Sequence, residues 1–475
     1  MGKTFSRTFE GCWRKKECLK KLELSKGKGQ IERNGKPRTE TVRGVLYLCA
    51  ICIALLFGGI SAWGVNAEKK TEKEPDTQST SLTVSLITCW PGSEIYELCG
   101  HEAIRIHGED FDSVWNFGLF DFSEPNFVYR FVKGETDYKV AGYPFAYFLP
   151  EYINDRRKVE EQVLNLTPAQ AEKIRKLLQV KSLPQNCRYR YNYIRNNCST
   201  QIADILDSVT GGTIVYQDSM RFGSFREAMN HYHRNYPWYQ FGIDLALGSE
   251  LDRPLTKREE FFTPIDFNRH AGKALLADGT PLVRTTIILN EGSEDAVLPP
   301  TPWFLGPLFW SIVVALISIG TVIYGIQKRT TVKWWYSVYF GIAGLAGCLV
   351  TFLVFISSHA ATSPNMLILW LNPLQLIIPI FIWNQRMKAA VKAMMWINVC
   401  VAVIMLVFWP IYSGGQSHVA SFLILIASDL VLAAGYLRNK DSKESKGRKG
   451  VNGRKGAKGN KGNKGTKRGG ARKKK

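Results

Sequence analysis

The chain has 475 residues and a formal net charge of +21, but that charge is confined to its ends. Residues 1–43 hold 13 Lys/Arg against 5 Asp/Glu and residues 438–475 hold 17 against 2, leaving a net of −2 on the other 394. A nucleic-acid-binding domain carries its basic surface on a folded body; tail-borne charge, with 45% hydrophobic residues bunched into stretches, excludes that class and a soluble cytosolic enzyme.

In chain order, residues 1–43 read as a basic cytoplasmic leader and residues 44–66 as a transmembrane anchor or a signal peptide. Residues 45–64 are free of charge and long enough to cross a hydrocarbon core. Val65-Asn66-Ala67 resembles a cleavage site, while the long leader favours a retained anchor. Either way, the chain beyond this segment is exported. Residues 81–300 form the exported domain, of α+β class. Strands are expected at 82–88, 101–107, 113–119 and 137–142, with a short helix near 93–98. Thr167 as N-cap and Pro168 at the first position open a helix to about Val180. A second helix is expected over Ser199–Val209, with Ile202, Ala203, Ile205 and Leu206 at helical spacing.

Residues 302–437 hold five apolar stretches, at about 302–326, 334–357, 365–384, 392–413 and 417–437, expected to be an all-α polytopic membrane domain. The loops at 327–333 and 384–388 are basic, while those at 357–364 and 413–418 carry no Lys or Arg. Basic loops stay in the cytoplasm, so the exported domain and the uncharged loops share the outer side. Asn372, Pro373 and Gln375 interrupt one span and read as a kink. Residues 438–475 form a Lys/Gly-rich cytoplasmic tail of a composition that buries no core and is drawn to anionic lipid.

The chemistry centres on Cys198, placed at a helix start behind Asn196 and Asn197, where backbone N–H groups and the helix dipole favour a thiolate or an oxyanion. The candidate base is His101, after Gly100 at the head of an apolar strand, and Asn116 on the next strand is placed to orient it. A glycine before the histidine leaves room for substrate. Arg105 reads as a phosphate ligand or a plain ion pair; Tyr193 and Asn197 complete the candidate substrate-binding set. Cys89, Cys99 and Cys187 share the oxidising compartment, and a free Cys198 leaves room for at most one bridge. A zinc site from Cys99, His101, His107 and Cys198 lacks metal-ligand spacing, so no metal or other cofactor is expected. His231 and His233 read as surface residues. Trp115, Phe117, Phe120, Phe122, Phe127, Tyr129 and Phe131 are candidates for an acyl groove or for core.

Cys-Gly-His-Glu-Ala-Ile-Arg-Ile (99–106) and Tyr-Asn-Tyr-Ile-Arg-Asn-Asn-Cys-Ser-Thr (191–200) resemble the circularly permuted papain-like core of lecithin:retinol acyltransferase and its relatives, in which His precedes Cys. Asn116 falls where those enzymes carry a His. Over residues 81–290 the chain more closely resembles the Lnb-type lipoprotein N-acyltransferases of Gram-negative bacteria, a likeness extended by Phe241-Gly242-Ile243-Asp244-Leu245-Ala246-Leu247-Gly248 and Asp252-Arg253-Pro254. The resemblance implies a permuted papain-like domain in the periplasm, multi-pass anchorage in the inner membrane, and an acyl-enzyme on Cys198. It implies membrane phospholipid as acyl donor and the amine of diacylglyceryl lipoproteins as acceptor. Two other classes compete: a papain-like peptidase or amidase acting on cell-wall peptide, and a membrane scaffold with structural Cys and His.

Overall fold

The computed structural model describes residues 82–120, 125–411, 416, 417 and 419–439. The leader, the 44–66 segment, Phe122 and the tail from 440 lie outside the described residues.

Seven antiparallel strands build one sheet in the order β6-β4-β3-β2-β1-β5-β9. They are β1 (Thr83–Cys89), β2 (His101–His107), β3 (Asp112–Leu119), β4 (Asp137–Pro144), β5 (Val159–Leu164), β6 (Arg188–Arg190) and β9 (Val283–Asn290). A separate two-stranded ribbon joins β7 (Val215–Tyr216) to β8 (Ala274–Leu275). β1 is an inner strand buried on both sides, so the sheet is covered twice. On one face Leu86, Ile104, Trp115 and Phe117 pack with Ile174 and Leu178 of α3 (Pro168–Lys181) and Ile202, Ile205 and Leu206 of α4 (Cys198–Thr210). On the other face Ile87, Cys89, Ala103 and Val114 meet Phe145, Phe148 and Tyr152 of α2 (Phe145–Asn154), which follows the short α1 (Phe127–Lys133). The pleat dictates this division: Leu86 lies opposite Ile104 and Ile87 opposite Ala103 in the register.

α3 opens as its sequence requires, with Thr167 and Gln170 capping one another's backbone N–H. Residues 93–98 form turns rather than a helix, because Pro91-Gly92 leads into a segment tied down by side chains: Glu97 pairs with Arg157 at 3.0 Å. Further helices are α5 (Phe225–Tyr232), α6 (Pro237–Ala246) and α7 (Pro264–Gly272). His233 is fully buried, contrary to the surface expectation: its Nδ1 meets Gln240 Oε1 at 2.7 Å and its ring packs on Tyr239, fastening α5 to α6.

Beyond residue 302, four described helices are long and apolar enough to cross a membrane: α8 (Pro307–Lys328), α9 (Lys333–Phe355), α10 (Lys388–Phe408, or from Gln385 with its leading turn) and α11 (Ala420–Arg438). The stretch at 365–384 is not one helix. Short helices at Leu367–Trp370 and Ile377–Phe381 flank a tight turn at Pro373–Leu376. Gly344 and Gly347 of α9 admit this broken segment, since a Cβ at Gly347 would lie 2.5 Å from the Asn372 backbone. Polar side chains on and around this segment bond one another inside the bundle. Gln375 bonds the Trp370 carbonyl at 3.1 Å and receives Asn398 at 3.0 Å, and Asp429 accepts the Trp370 indole N–H at 3.1 Å. Asp429 is 1% exposed within α11, a buried acid that the apolar run around it conceals in the sequence.

The α+β domain is bolted to one end of this bundle. Gly248 and Ser249 donate backbone bonds to Ala361 and Pro364, Asn365 reaches the Leu245 carbonyl, and Phe241 packs on Phe422. A Cβ at Gly248 would collide with the Pro364 carbonyl oxygen, which accounts for the glycine. Arg226, 3% exposed, holds the joint by gripping Asp244, Asp252 and the carbonyls of Leu247 and Gly248. The 241–254 motif is therefore a mount for the domain.

Candidate active site

β2 begins at His101, and the chain enters it through Gly100 at φ +80°, where a Cβ would lie 2.7 Å from the Cys89 carbonyl oxygen. Left-handed backbone and this close approach explain the glycine, not space for substrate. Ala103 pairs with Asn116 across β2 and β3, so Asn116 stands diagonally across from His101 on the same face. The His101 Nε2–H donates to Asn116 Oδ1 at 2.7 Å, and Asn116 Nδ2 donates to the Tyr143 hydroxyl at 3.0 Å. With Nε2 committed as donor, Nδ1 is the basic nitrogen. The imidazole lies nearly parallel to the Tyr152 ring, centroids 6.4 Å apart.

Cys198 is the first residue of α4. Asn197 caps that helix: its Oδ1 accepts from Thr200 N at 3.1 Å, and its Nδ2 donates to the carbonyls of Tyr193 and Phe262 at 2.7 Å each. α4 packs against β2, and the backbone N–H groups of Glu102, Ser199 and Cys198 itself approach the sulfur. One of these donors thus comes from the residue after His101. Burial pushes the Cys198 thiol up to about 12, against the pull of those N–H groups. It pushes His101 down to about 4, reinforced by the charge of Arg157 and opposed by the Asn116 bond. At neutral pH both groups rest uncharged.

The other sequence candidates are engaged elsewhere. Arg105 grips Asp112 with two 2.8 Å bonds and Glu161 at 3.0 Å, its guanidinium 3.7 Å from the Phe145 ring centre; this is the ion-pair alternative. Tyr193 places its hydroxyl 3.1 Å from Cys99, and Asn197 spends its side chain on the helix cap. Among the described residues Cys89, Cys99, Cys187 and Cys198 form no disulfide. Among the described residues no group of three His, Cys, Asp or Glu side chains converges to hold a metal ion.

Trp115 and Phe117 are core, at 4% and 1% exposure. Phe120, Phe127, Tyr129 and Phe131 instead belong to an aromatic line running from the site to the bundle. Tyr191, a neighbour of Cys198, stacks on Tyr138 at 4.0 Å. Tyr138 meets Phe120 at 5.1 Å, Phe120 meets Phe127 at 6.0 Å, and Phe127 meets Phe131 at 6.2 Å. From the same helix, Tyr129 touches Phe352 of α9 at 6.2 Å, and His359 Nε2 donates to the Phe131 carbonyl at 2.9 Å. The sequence offers Tyr191 only as part of the Tyr-rich run before Cys198 and gives no signal for Tyr138.

An α+β domain bearing a thiol and an Asn-anchored imidazole, fixed to the end of a bundle whose helices are long and apolar enough to cross a membrane, defines a membrane-anchored α+β protein. Residues 70–230 match the Lnb N-terminal periplasmic domain and residues 300–442 the Lnb transmembrane domain. The chain belongs to the Lnb-type lipoprotein N-acyltransferase family, and membership implies a lipoprotein N-acyltransferase role for a membrane protein with a periplasmic N-terminal domain. Comparison with curated proteins and with solved structures gave no match.

Proposed function

We propose that this chain moves a fatty acyl group from membrane phospholipid, through a thioester on Cys198, to the amine of diacylglyceryl lipoproteins. The observation that carries the reading is a helix-start thiol whose sulfur meets the backbone N–H of Glu102, the residue after His101, while the His101 Nε2 is held by Asn116 at 2.7 Å, leaving Nδ1 basic. In this reading the domain works as a permuted papain-like core. His101 Nδ1 takes the thiol proton as the sulfur attacks the ester carbonyl, and the oxyanion draws on N–H groups at the α4 start. The carbon–oxygen bond then breaks, and His101 returns the proton to the departing lysophospholipid hydroxyl. The lipoprotein amine attacks the thioester, its proton passes through His101, and the Cys198 thiol is regenerated. A thioester conserves the acyl-transfer potential of the ester, so no nucleotide is required.

The aromatic line from Tyr191 to Phe352 supports a lipid substrate over a cell-wall peptide, because it offers an acyl chain apolar cover between bilayer and sulfur. We place the five C-terminal stretches as passes, the broken segment being the third, with residues 1–43 and the Lys/Gly tail cytoplasmic and the tail resting on anionic lipid. The test is transfer of a labelled acyl chain from phospholipid to a diacylglyceryl-cysteine peptide by the full chain in detergent. Transfer by wild type and none by Cys198→Ser or His101→Ala is expected; equal transfer by all three would overturn the reading.

A further inference from the structure

Arg156-Arg157-Lys158 places three cations where β5 begins, at the sheet end that holds His101. In the register Val159, Cys89 and His101 lie side by side across β5, β1 and β2. Arg157, just ahead of β5, lies over the ring of Tyr152, which packs on the same face as Val159, Cys89 and Ala103. The outer two cations are spent at the rim. Arg156 meets Asp295 at 3.5 Å with both side chains exposed, and Lys158 meets Glu160 at 3.0 Å while lying over the Trp90 ring. Arg157 is different, at 3% exposure. Its Nε donates to the Trp90 carbonyl at 2.8 Å and its Nη1 reaches Glu97 at 3.0 Å. Its Nη2 is buried and has no hydrogen-bond partner among the described residues. An orphaned, buried charged donor is costly, so the fold retains it at a loss unless a ligand fills it. The Tyr152 ring neighbours both groups, its centre 4.9 Å from the Arg157 guanidinium and 6.4 Å from that of the His101 imidazole.

We propose that Arg157 is the anion anchor of the donor subsite, its Nη2 binding the phosphodiester of the phospholipid whose ester carbonyl meets Cys198. The inference rests on the acyltransferase reading above. On one lipid the ester carbonyl and the phosphate are a glycerol apart, so a carbonyl at the sulfur carries its phosphate past His101 toward Tyr152 and Arg157. Arg105, the basic residue that the sequence put forward, has its guanidinium N–H groups taken by Asp112 and Glu161. The diacylglyceryl acceptor has no phosphate. Arg157 therefore serves the acylation half-reaction and not the transfer half.

The test measures thioester formation on the full chain by intact mass, with phosphatidylethanolamine or with diacylglycerol of the same acyl chains as donor in mixed micelles. Wild type is expected to load from the phospholipid at least about tenfold faster, the value of one charge-assisted bond. Arg157→Gln brings the ratio to near one, Arg157→Lys keeps part of it, and all three deliver a preloaded acyl group to the peptide amine at one rate. A ratio unchanged in Arg157→Gln, or absent in wild type, overturns the inference. Equal slowing with both donors, or slowed delivery to the amine, would show a purely structural role and also overturns it. Acceleration of the diacylglycerol reaction by inorganic phosphate would mean that a free ion, not the donor's own phosphate, occupies the anchor, and it too overturns the inference. Wild-type adducts from either donor show that the acyltransferase reading survives a failure of this one; no adduct from any donor ends both.

Discussion

Burial sets the resting protonation of the candidate pair, and pH-dependent alkylation reads it. Cys198 is raised from 9.0 to about 12, so at pH 8 about one sulfur in ten thousand is thiolate, against about one in ten for an unshifted thiol. Iodoacetamide, followed at the Cys198 peptide by mass spectrometry, is expected to react with a rate rising about tenfold per pH unit from 7 to 10. Unfolded protein serves as the reference, and the folded rate near pH 8 is expected about a thousandfold below it. The slope carries the argument, because steric shielding lowers a rate without changing its dependence on pH. His101→Ala is expected to leave the slope intact, since the imidazole rests neutral. A plateau between pH 5 and 8, lost in His101→Ala, would reveal a preformed thiolate–imidazolium pair and refute the reasoning.

Because His101 is lowered from 6.5 to about 4, thioester formation from phospholipid is expected to hold from pH 7 to near 5 and fall through about 4. The neutral form is the one the fold favours, so folding loses stability as pH drops from 6.5 toward 4; a pH–activity profile and chemical unfolding at several pH values check both. Asn116→Ala removes the acceptor for His101 and the donor for Tyr143, and is expected to lower kcat about ten- to a hundredfold with KM little changed. Arg226→Met strands Asp244 and Asp252, each 7% exposed at the side chain, and is expected to cost about 3–5 kcal/mol in detergent unfolding. Gly347→Leu forces side-chain atoms into the Asn372 backbone and is expected to destabilise the bundle by about 1–3 kcal/mol, read as a lower Tm of the purified protein.

Local features are legible in the sequence, and those that depend on distant partners are hidden. β2 and α3 announce themselves through alternation and a capping box, and His101, Asn116 and Cys198 through the residue types that thiol chemistry needs. β5 does not, because Glu160, Glu161 and Gln162 occupy consecutive buried positions that read as loop. Their partners are remote: Glu161 takes Arg105, while Gln162 and Glu160 meet Asn268. Arg157 is invisible for the same reason, one cation in a run whose burial only the fold decides. His233 looks exposed in a polar stretch, yet the turn into α6 folds Gln240 and Tyr239 over it. Asp429 is lost in an apolar run, because its partners Trp370 and Gln375 sit on the broken segment.

The most direct test of the central claim is intact mass of the full chain after incubation with phospholipid alone. The account predicts a fatty-acyl adduct on wild type, released by hydroxylamine, mapping to Cys198 and missing from Cys198→Ser and His101→Ala. No adduct, or one that persists in Cys198→Ser, would contradict a thioester at this site.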